Sequence, residues 1–369
     1  MKTLRTSFVP QTSIVRRKSE HLRIVAEEDV LHSRSTLFED LHLEHDALPE
    51  LDATDLELHT PFFGKTLDAP LMITSMTGGA EFAREMNEGL ARTASEKGLA
   101  FSVGSQRVLL RYPEMIKDFA VRACIPDGVL LGNIGGVQLK EYSIEQIAGL
   151  ADMIEADGLC VHLNAGQELV QGEGQQHGFS GVLDGIAHLV DRLDGRVLVK
   201  ETGAGMGPKT LKRLAQIGVQ YIDVAGSGGT SWTKVEKYRA PSHSLSSLGE
   251  VYQNWGIPTA VSLAAARRLL PEKVVIVASG GIQNGLEAAK AFALGAHLAG
   301  FARSVLLSFI EDGPQGAHAW IEAFLEQLRA AMILTGSRTP DELQSVAKVV
   351  TGGLKDYLSA YKLQPGDIQ

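Results

Sequence analysis

The chain has 369 residues, of which 44% are hydrophobic and 21% charged, so it is long enough to bury a large core. A formal net charge of -9 gives a nucleic-acid-binding role no electrostatic support. No apolar run reaches the length of a membrane span, the amino terminus lacks the apolar core of a signal peptide, and neither Cys124 nor Cys160 has metal-binding spacing. These features predict a cytoplasmic enzyme in a reducing environment.

The amino-terminal part of the chain divides into three segments. Residues 1–15 lack sustained hydrophobic periodicity and are predicted to form an extension, followed by one domain over residues 16–369. A helix is predicted to begin near Arg16. The acidic stretch 31–65 is expected to close the amino-terminal end of the fold.

Eight short apolar segments then recur, and nearly all end in a polar or glycine-rich cluster; they start at Ala69, Leu99, Gly128, Asp157, Arg196, Tyr221, Val274 and His297. Helix-length segments such as 81–98 and 285–295 lie between them. This alternation predicts a (β/α)8 TIM barrel, in which active sites lie at the carboxyl ends of the strands. Residues 227–270 are predicted to form a long functional loop after the sixth strand. The tail, residues 317–358, is predicted to be helical with breaks near Gly336 and Gly352.

The strongest phosphate-binding signal follows the seventh and eighth strands. Residues 279–282 read Ser-Gly-Gly-Ile before a helix that is predicted to begin near Asn284, and Gly300, Ala302 and Arg303 follow the next strand. A glycine turn exposes backbone N–H groups, and a helix N-terminus adds positive potential. The alternative is that these are ordinary turn glycines.

Other strand ends predict contacts to a flat, phosphorylated ring. Residues 74–79 carry small hydroxyls and glycines after the first strand, Asn133 ends the third, Lys200 ends the fifth, and residues 226–230 follow the sixth. Together they favour flavin mononucleotide (FMN). Lys200 also suits a Schiff base, or it extends its amine to solvent. No G-x-G-x-x-G follows an early strand, so a Rossmann nicotinamide site is not indicated.

Basic and amide residues predict an anionic substrate. Ser105, Gln106 and Arg107 end the second strand, His162 to Glu168 end the fourth, and Arg17, Lys18 and His21 cluster near the amino terminus. A carboxylate such as Glu168 suits magnesium that bridges to a diphosphate. The basic run could instead be a solvated surface, and His162 could be a core histidine with satisfied hydrogen bonds.

These motifs resemble the flavin-dependent, type 2 isopentenyl-diphosphate isomerases over nearly the whole chain from Arg16 on. The pieces that carry the resemblance are R-K-x-E-H from Arg17, M-T-G-G from Met76, G-S-Q-R from Gly104, H-L-N-x-x-Q-E from His162, D-V-A-G-x-G-G-T-S-W from Asp223, S-G-G from Ser279 and M-x-L-T-G from Met332. The first and the fourth are specific, whereas the glycine loops are shared with other flavin barrels. Gln283 stands where many members of the family carry arginine.

The resemblance implies a role for each matched residue. Flavin contacts are expected from Ser75, Met76, Thr77, Ser105, Asn133, Lys200, Thr230, Gly281, Ile282, Gln283, Ala302 and Arg303. Substrate contacts are expected from Arg17, Lys18, His21, Ser105, Gln106, Arg107 and Gln167. Glu168 is expected to bind Mg²⁺, and Gln167 and His162 to act in catalysis.

The implied reaction is the interconversion of isopentenyl and dimethylallyl diphosphate by a 1,3-proton shift, without net oxidation, on reduced FMN with NADPH as the electron source. Because an unactivated alkene is a very poor base, we hypothesise that the reduced flavin is the acid and base and that Gln167 and His162 orient the substrate. The resemblance also implies a homo-oligomer, a tetramer or an octamer.

Three alternatives stay open at this point. A flavin-dependent 2-hydroxy acid oxidase or dehydrogenase would use a histidine base at the end of a late strand, and no histidine stands at the end of the sixth or seventh strand. An inosine-monophosphate-dehydrogenase-like barrel would use a cysteine after the sixth strand, and residues 227–270 contain none. A non-catalytic barrel could bind a phosphorylated ligand as a sensor.

Overall fold

The structure is a computed structural model that describes residues 13–76, 83–171 and 178–363, with side chains from residue 16 onward. Its strands are β1 Leu41–Leu43, β2 Thr60–Phe62, β3 Lys65–Leu67, β4 Leu71–Ile73, β5 Ala100–Ser102, β6 Leu130–Gly135, β7 Gly158–Leu163, β8 Val197–Glu201, β9 Tyr221–Asp223, β10 Val275–Ala278, β11 Leu298–Phe301 and β12 Lys348–Val350. Among the described residues, no helix is both long and apolar enough to cross a membrane.

The helices alternate with the strands for most of the chain. They are α1 Ser13–Glu27, α2 Ala83–Glu96, α3 Ile144–Met153, α4 Ala165–Val170, α5 Val182–Arg192, α6 Pro208–Gln216, α7 Trp232–Arg239, α8 His243–Tyr252, α9 Thr259–Leu269, α10 Gly285–Ala293, α11 Arg303–Leu334, α12 Glu342–Ser345 and α13 Gly352–Ala360. Helix α11 is interrupted at Asp312 and Gly313, ahead of Pro314.

Strands β4 to β11 form a closed barrel in which neighbouring strands are parallel. Strand β10 pairs with β9, and β11 pairs with β4, so the last barrel strand closes on the first. The barrel strands are buried apart from a few end residues because helices cover the outside and side chains fill the inside. All eight predicted strands are present, and the (β/α)8 prediction is confirmed.

The hairpin of β2 and β3 closes the amino-terminal end of the barrel. Phe62 and Leu67 pack into the barrel interior against Met72 and Leu198. Lys65 extends from the hairpin to the Gly128 carbonyl at 2.8 Å, just before β6 begins. The expectation that residues 31–65 close this end therefore holds for the hairpin.

The first part of that segment lies at the opposite end. His32 N donates to Gly229 O at 2.9 Å, and Thr36 packs on Gly228 and Gly281. Residues 31–38 therefore belong to the mouth at the carboxyl ends of the strands. The acidic composition of the segment could not show that it runs from one end of the barrel to the other.

The segment after the sixth barrel strand is folded into α7, α8 and α9 rather than an open loop. Ser231 and Ser242 cap α7 and α8 by accepting from the backbone N–H of Lys234 at 3.2 Å and Leu245 at 3.3 Å. Helix α7 packs against α1 and α4. The insertion thus holds the amino-terminal helix over the barrel mouth. In the carboxyl-terminal tail, which was predicted to be helical, β12 forms a strand that pairs with β1.

Candidate active site

One cavity of about 300 Å³ opens at the carboxyl ends of the barrel strands, at the lower end of small-molecule site volumes. Its walls come from β4 to β11 and the segments that follow them, and α1 lines its outer side. The cavity has three parts: a glycine-rich end near β10 and β11, a polar floor, and a basic rim under α1.

At the glycine-rich end, the backbone turns sharply after β10. Gly280 has φ +95° and Gly281 has φ +82°, values that side chains disfavour, and a Cβ on Gly281 would lie 2.6 Å from the Gly228 carbonyl carbon. Within the described chain, no hydrogen bond is made by the backbone N–H groups of Gly281 or Ile282. Both residues border the cavity at the turn that leads into α10.

Helix α11 begins at the same place. Its N-cap, Ala302, has no side chain that could accept from the first turn, and Ala302, Arg303 and Ser304 border the cavity, so the N-terminus of α11 lies at the cavity wall. Arg303 adds a cation there, and its Nε donates to the Val25 carbonyl at 3.1 Å. By contrast, the side chain of Asn284 caps α10, because its Oδ1 accepts a hydrogen bond from Glu287 N at 2.9 Å. The combination is an anion cradle that fits the phosphate of a flavin nucleotide.

The floor is a chain of hydrogen bonds between strand ends. Asn133 Nδ2 donates to Ser75 Oγ at 2.7 Å, and its Oδ1 faces His162 Nδ1 at 2.9 Å. Because Asn133 Oδ1 can only accept, His162 Nδ1 carries the proton and Nε2 is left as an acceptor. Burial, together with the positive charges of Lys200, Lys18 and Arg107, lowers the pKa of His162 to about 3. The imidazole is therefore neutral at physiological pH.

Lys200 connects the floor to the glycine-rich end. Its buried Nζ lies 3.7 Å from Asp223 Oδ2, and Ser279 Oγ donates to both oxygens of Asp223 at 2.7 and 2.9 Å. Ser279 immediately precedes the glycine turn. One fixed cation therefore lies at the cavity wall, suited to a negative ring edge.

The basic rim combines α1 with the segment after β5. Lys18 Nζ donates to the Ser105 carbonyl at 2.6 Å and lies 5.2 Å from the Phe119 ring centroid. Burial, then repulsion by Arg17, lowers the pKa of Lys18 to about 7, with Arg107 contributing and Asp118 opposing. Such crowding of cations is typical of a site for a multivalent anion.

Amides and carboxylates lie opposite this rim. Glu168 is buried, and Asn164 Nδ2 donates to its Oε1 at 3.1 Å. Gln167 Nε2 and Gln171 Nε2 both donate to Glu236 Oε1 at 2.8 Å. Among the described residues, no group of three or more metal-binding His, Cys, Asp or Glu side chains occurs. A lone buried carboxylate such as Glu168 can bind Mg²⁺ only together with oxygens from water or a ligand.

Glu236 also ties α1 to the insertion. His21 Nε2 lies 2.8 Å from Glu236 Oε1, and the His21 ring packs edge-on against Trp232 at 5.4 Å. Arg239 donates to Glu236 Oε2 at 2.7 Å and to Glu20 Oε2 at 3.1 Å. Burial raises the pKa of Glu236, but the charges and hydrogen bonds of His21, Arg239 and Gln167 lower it to about 2. The carboxylate therefore stays ionised.

Most of the predicted site residues border this one cavity: Arg17, Lys18, His21, Ser75, Met76, Ser105, Arg107, Asn133, His162, Gln167, Glu168, Lys200, Thr230, Gly281, Ile282, Gln283, Ala302 and Arg303. Gln106 does not border it. Gln106 is fully buried beneath the floor, where Nε2 donates to Leu150 O at 2.9 Å and Oε1 accepts from Asn133 N at 2.9 Å. Thr77 lies outside the described residues.

The sequence did not single out Glu236, Gln171 or Gln138 as site residues. Gln171 and Gln138 border the cavity, and Glu236 fixes two of the amides that do. A signal for Glu236 was available, because Glu236 and Arg239 stand at i, i+3 spacing in the insertion and can pair on a helix.

Comparison with known proteins identifies the class first. A family model described as FMN-dependent dehydrogenase matches residues 159–349, which places the chain in this broad class of flavin-binding barrels. A mandelate oxidase mutant solved with benzaldehyde shares the fold, with a TM-score of 0.64 over 92% of this chain and 98% of that one, at 14% sequence identity.

Closer relatives narrow the class. The chain is 41% identical over 348 residues to the isopentenyl-diphosphate delta-isomerase of Halobacterium salinarum, covering 93% of this chain and 95% of the relative. It is 38% identical over 350 residues to that of Pyrococcus abyssi, covering 93% and 94%. The chain therefore belongs to the isopentenyl-diphosphate delta-isomerase family.

Proposed function

We propose that this protein interconverts isopentenyl diphosphate and dimethylallyl diphosphate on bound FMN. The observation that carries the proposal is one cavity that joins a phosphate cradle, a polar floor and a separate basic rim. Two anion-binding ends in a single cavity suit a phosphorylated cofactor beside a diphosphate substrate. The isomerase names of the relatives, at 38–41% identity, supply the reaction.

The cradle and the floor are proposed to hold FMN. The N–H groups of Gly281 and Ile282 and the N-terminus of α11 would bind its phosphate, and Lys200 would neutralise a negative ring edge. When bound in its reduced form, FMN supplies an electron-rich ring that stabilises positive charge developing on the alkene. Ser75 and Asn133 would hold the ring against the floor.

The basic rim is proposed to bind the diphosphate. Arg17, Lys18 and Arg107 would neutralise its charge, and Glu168 would hold Mg²⁺ that bridges to its oxygens. A bound anion would favour protonated Lys18, because its negative charge opposes the burial and the repulsion by Arg17 that lower the pKa of Lys18. His21 would contribute by fixing α1 through Glu236.

Gln167 and His162 are proposed to orient the allylic unit. Gln167 is held at both ends, since Nε2 donates to Glu236 and Oε1 accepts from Asn164 Nδ2 at 3.0 Å. Neutral His162 offers Nε2 as an acceptor. Neither group has a proton to donate at low cost near pH 7, which suits an orienting role.

Two separate experiments, one with isopentenyl diphosphate and one with a 2-hydroxy acid, test the proposal. Purified protein with FMN and Mg²⁺ is reduced anaerobically, mixed with isopentenyl diphosphate, and the products are separated by chromatography. The proposal expects dimethylallyl diphosphate and no loss of reduced flavin. In a second experiment, oxidised protein is mixed with mandelate or lactate. Reduction of the flavin by a 2-hydroxy acid, with no isomer in the first experiment, would contradict the proposal and support an oxidase.

Four further features stay proposals. NADPH is proposed as the reductant of the flavin, Mg²⁺ as the metal, a homotetramer or octamer as the assembly, and the cytoplasm as the location. The motifs quoted above support them through the family resemblance. NADPH oxidation under anaerobic conditions and light scattering of the purified protein test the first and third directly.

A further inference from the structure

Gln138 is a buried polar side chain with an unused donor at the cavity wall. Its side chain is 2% exposed, it borders the cavity, and its Nε2 has no hydrogen-bond partner among the residues that the structure describes. Arg107 also borders the cavity, and its buried Nε likewise has no hydrogen-bond partner among the described residues. A buried N–H without a partner is unfavourable, so two such donors on one cavity point to a ligand with acceptor atoms.

The backbone holds Gln138 firmly at this position. It lies in the short 3-10 helix Gly136–Lys140 directly after β6, flanked by buried Val137 and Leu139. The Gln138 carbonyl accepts the N–H groups of Glu141 and Tyr142, both at 3.1 Å. The position of the side chain therefore does not depend on a flexible loop.

The amide of Gln138 lies beside the ring of His162. A Cβ placed on Gly135 would collide with Gln138 Oε1 and would lie 3.1 Å from His162 Nε2. Gly135 thus leaves room for both groups at the same point of the wall. The charges of Lys200, Lys18 and Arg107 all act on His162, so Gln138 borders the cavity where the polar floor meets the basic rim.

The chemistry of the neighbours selects the ligand. Lys18 and Arg107 are cationic donors, and Gln138 Nε2 and Arg107 Nε are donors without acceptors. A hydrocarbon unit offers no acceptor, whereas each phosphate oxygen can accept several hydrogen bonds. A phosphate group can accept from unpartnered donors such as these and also neutralises the positive charge of Lys18 and Arg107.

We propose that Gln138 Nε2 donates a hydrogen bond to an oxygen of the substrate diphosphate. This inference rests on the proposed function and adds a substrate-binding residue to it. Because the diphosphate keeps its charge throughout the reaction, the bond contributes equally to the bound substrate and the transition state. Its loss should raise KM and leave kcat unchanged.

The Gln138→Met variant tests this, because methionine keeps the length and the volume but cannot donate. Loss of a hydrogen bond to a charged group should raise KM for isopentenyl diphosphate, and Kd for inorganic diphosphate with Mg²⁺, by about 10- to 100-fold. FMN affinity and kcat should stay at the wild-type values. Gln216→Met, at an exposed helix position, is the matched control and should change none of these.

The Gln138→Glu variant decides the matter if the methionine variant does not fold. Its carboxylate would repel the diphosphate, so the loss of diphosphate affinity should exceed that of Gln138→Met, and FMN should still bind. Wild-type KM and Kd in a folded variant would overturn the proposal. Parallel losses of FMN and diphosphate affinity would also overturn it, because they would indicate a structural role.

The two measurements separate this inference from the proposed function. If the wild-type protein binds inorganic diphosphate but does not isomerise isopentenyl diphosphate, the proposed reaction fails. The diphosphate titration of the variants then still decides whether Gln138 binds the anion.

Discussion

The protonation of Lys18 should control substrate affinity. Burial and the neighbouring Arg17 and Arg107 lower the pKa of Lys18 to about 7 in the free protein. A bound diphosphate places negative charge next to Nζ and should return the pKa toward its ordinary value of 10.5. Substrate therefore binds the protonated lysine, and its affinity is fully present below pH 7 and is lost as the pH rises above 7.

The magnitude follows from the two pKa values. Between pH 7 and the pKa of the complex, each pH unit costs a factor of about ten in affinity, because lysine must take up a proton before the diphosphate binds. From pH 6 to pH 9 the dissociation constant should rise by about 100-fold. Near pH 7, binding should take up about half a proton at this group.

Isothermal titration with isopentenyl diphosphate and Mg²⁺ at pH 6, 7, 8 and 9 measures this. The Lys18→Arg variant is the control, because arginine stays protonated throughout this range. The ratio of the wild-type and variant dissociation constants removes the protonation of the ligand itself. A ratio that stays constant from pH 6 to pH 9 would show that Lys18 does not change its protonation when substrate binds.

Three further changes test other parts of the site. Gly281→Ala, at φ +82° and against Gly228, should weaken FMN binding about tenfold or more in a fluorescence titration and destabilise the fold by roughly 1–2 kcal/mol. The control Gly149→Ala, in open space on α3, should stabilise the fold by up to about 1 kcal/mol and leave FMN binding unchanged. Equal effects of the two variants would contradict the cradle. Glu168→Gln should reduce turnover by about 100-fold at low Mg²⁺, with partial recovery at high Mg²⁺, whereas full wild-type activity in excess chelator would exclude the metal site. Arg239→Met removes one of the two ties from Glu236 to α1, leaving the contact with His21, and should raise KM by about tenfold. An unchanged KM would show that the contact through Arg239 does not affect substrate binding.

The barrel could be predicted because its strands are short apolar segments at regular intervals. Each is buried on both faces, so its sequence is continuously apolar and its end is marked by a polar residue or glycine. The mouth residues followed from the same logic, since the carboxyl ends of parallel strands meet at one edge. Ser279 and Lys200, at two such ends, are both linked to Asp223.

Side-chain direction could not be predicted. Ser105 and Arg107 border the cavity, whereas Gln106 between them turns inward to hold the backbone of Asn133. The sequence suggested that all three contact substrate, because three consecutive polar residues after a strand carry no signal of which one turns in.

Long-range packing was also beyond the sequence. Glu236 is 69 residues from Gln167, its hydrogen-bond partner, and the two meet only because α7 folds back on α4. The insertion was expected to be a loop because of its length between two barrel strands. The serine caps of α7 and α8 were present in the sequence as evidence for helices.

The most direct test of the account is the dependence of turnover on the redox state of the flavin. Protein with FMN, Mg²⁺ and isopentenyl diphosphate is assayed anaerobically with and without dithionite, and dimethylallyl diphosphate is quantified. The account predicts isomer only with reduced flavin and no net consumption of reductant during turnover. Equal isomer formation with oxidised FMN, or no isomer with either form, would contradict it.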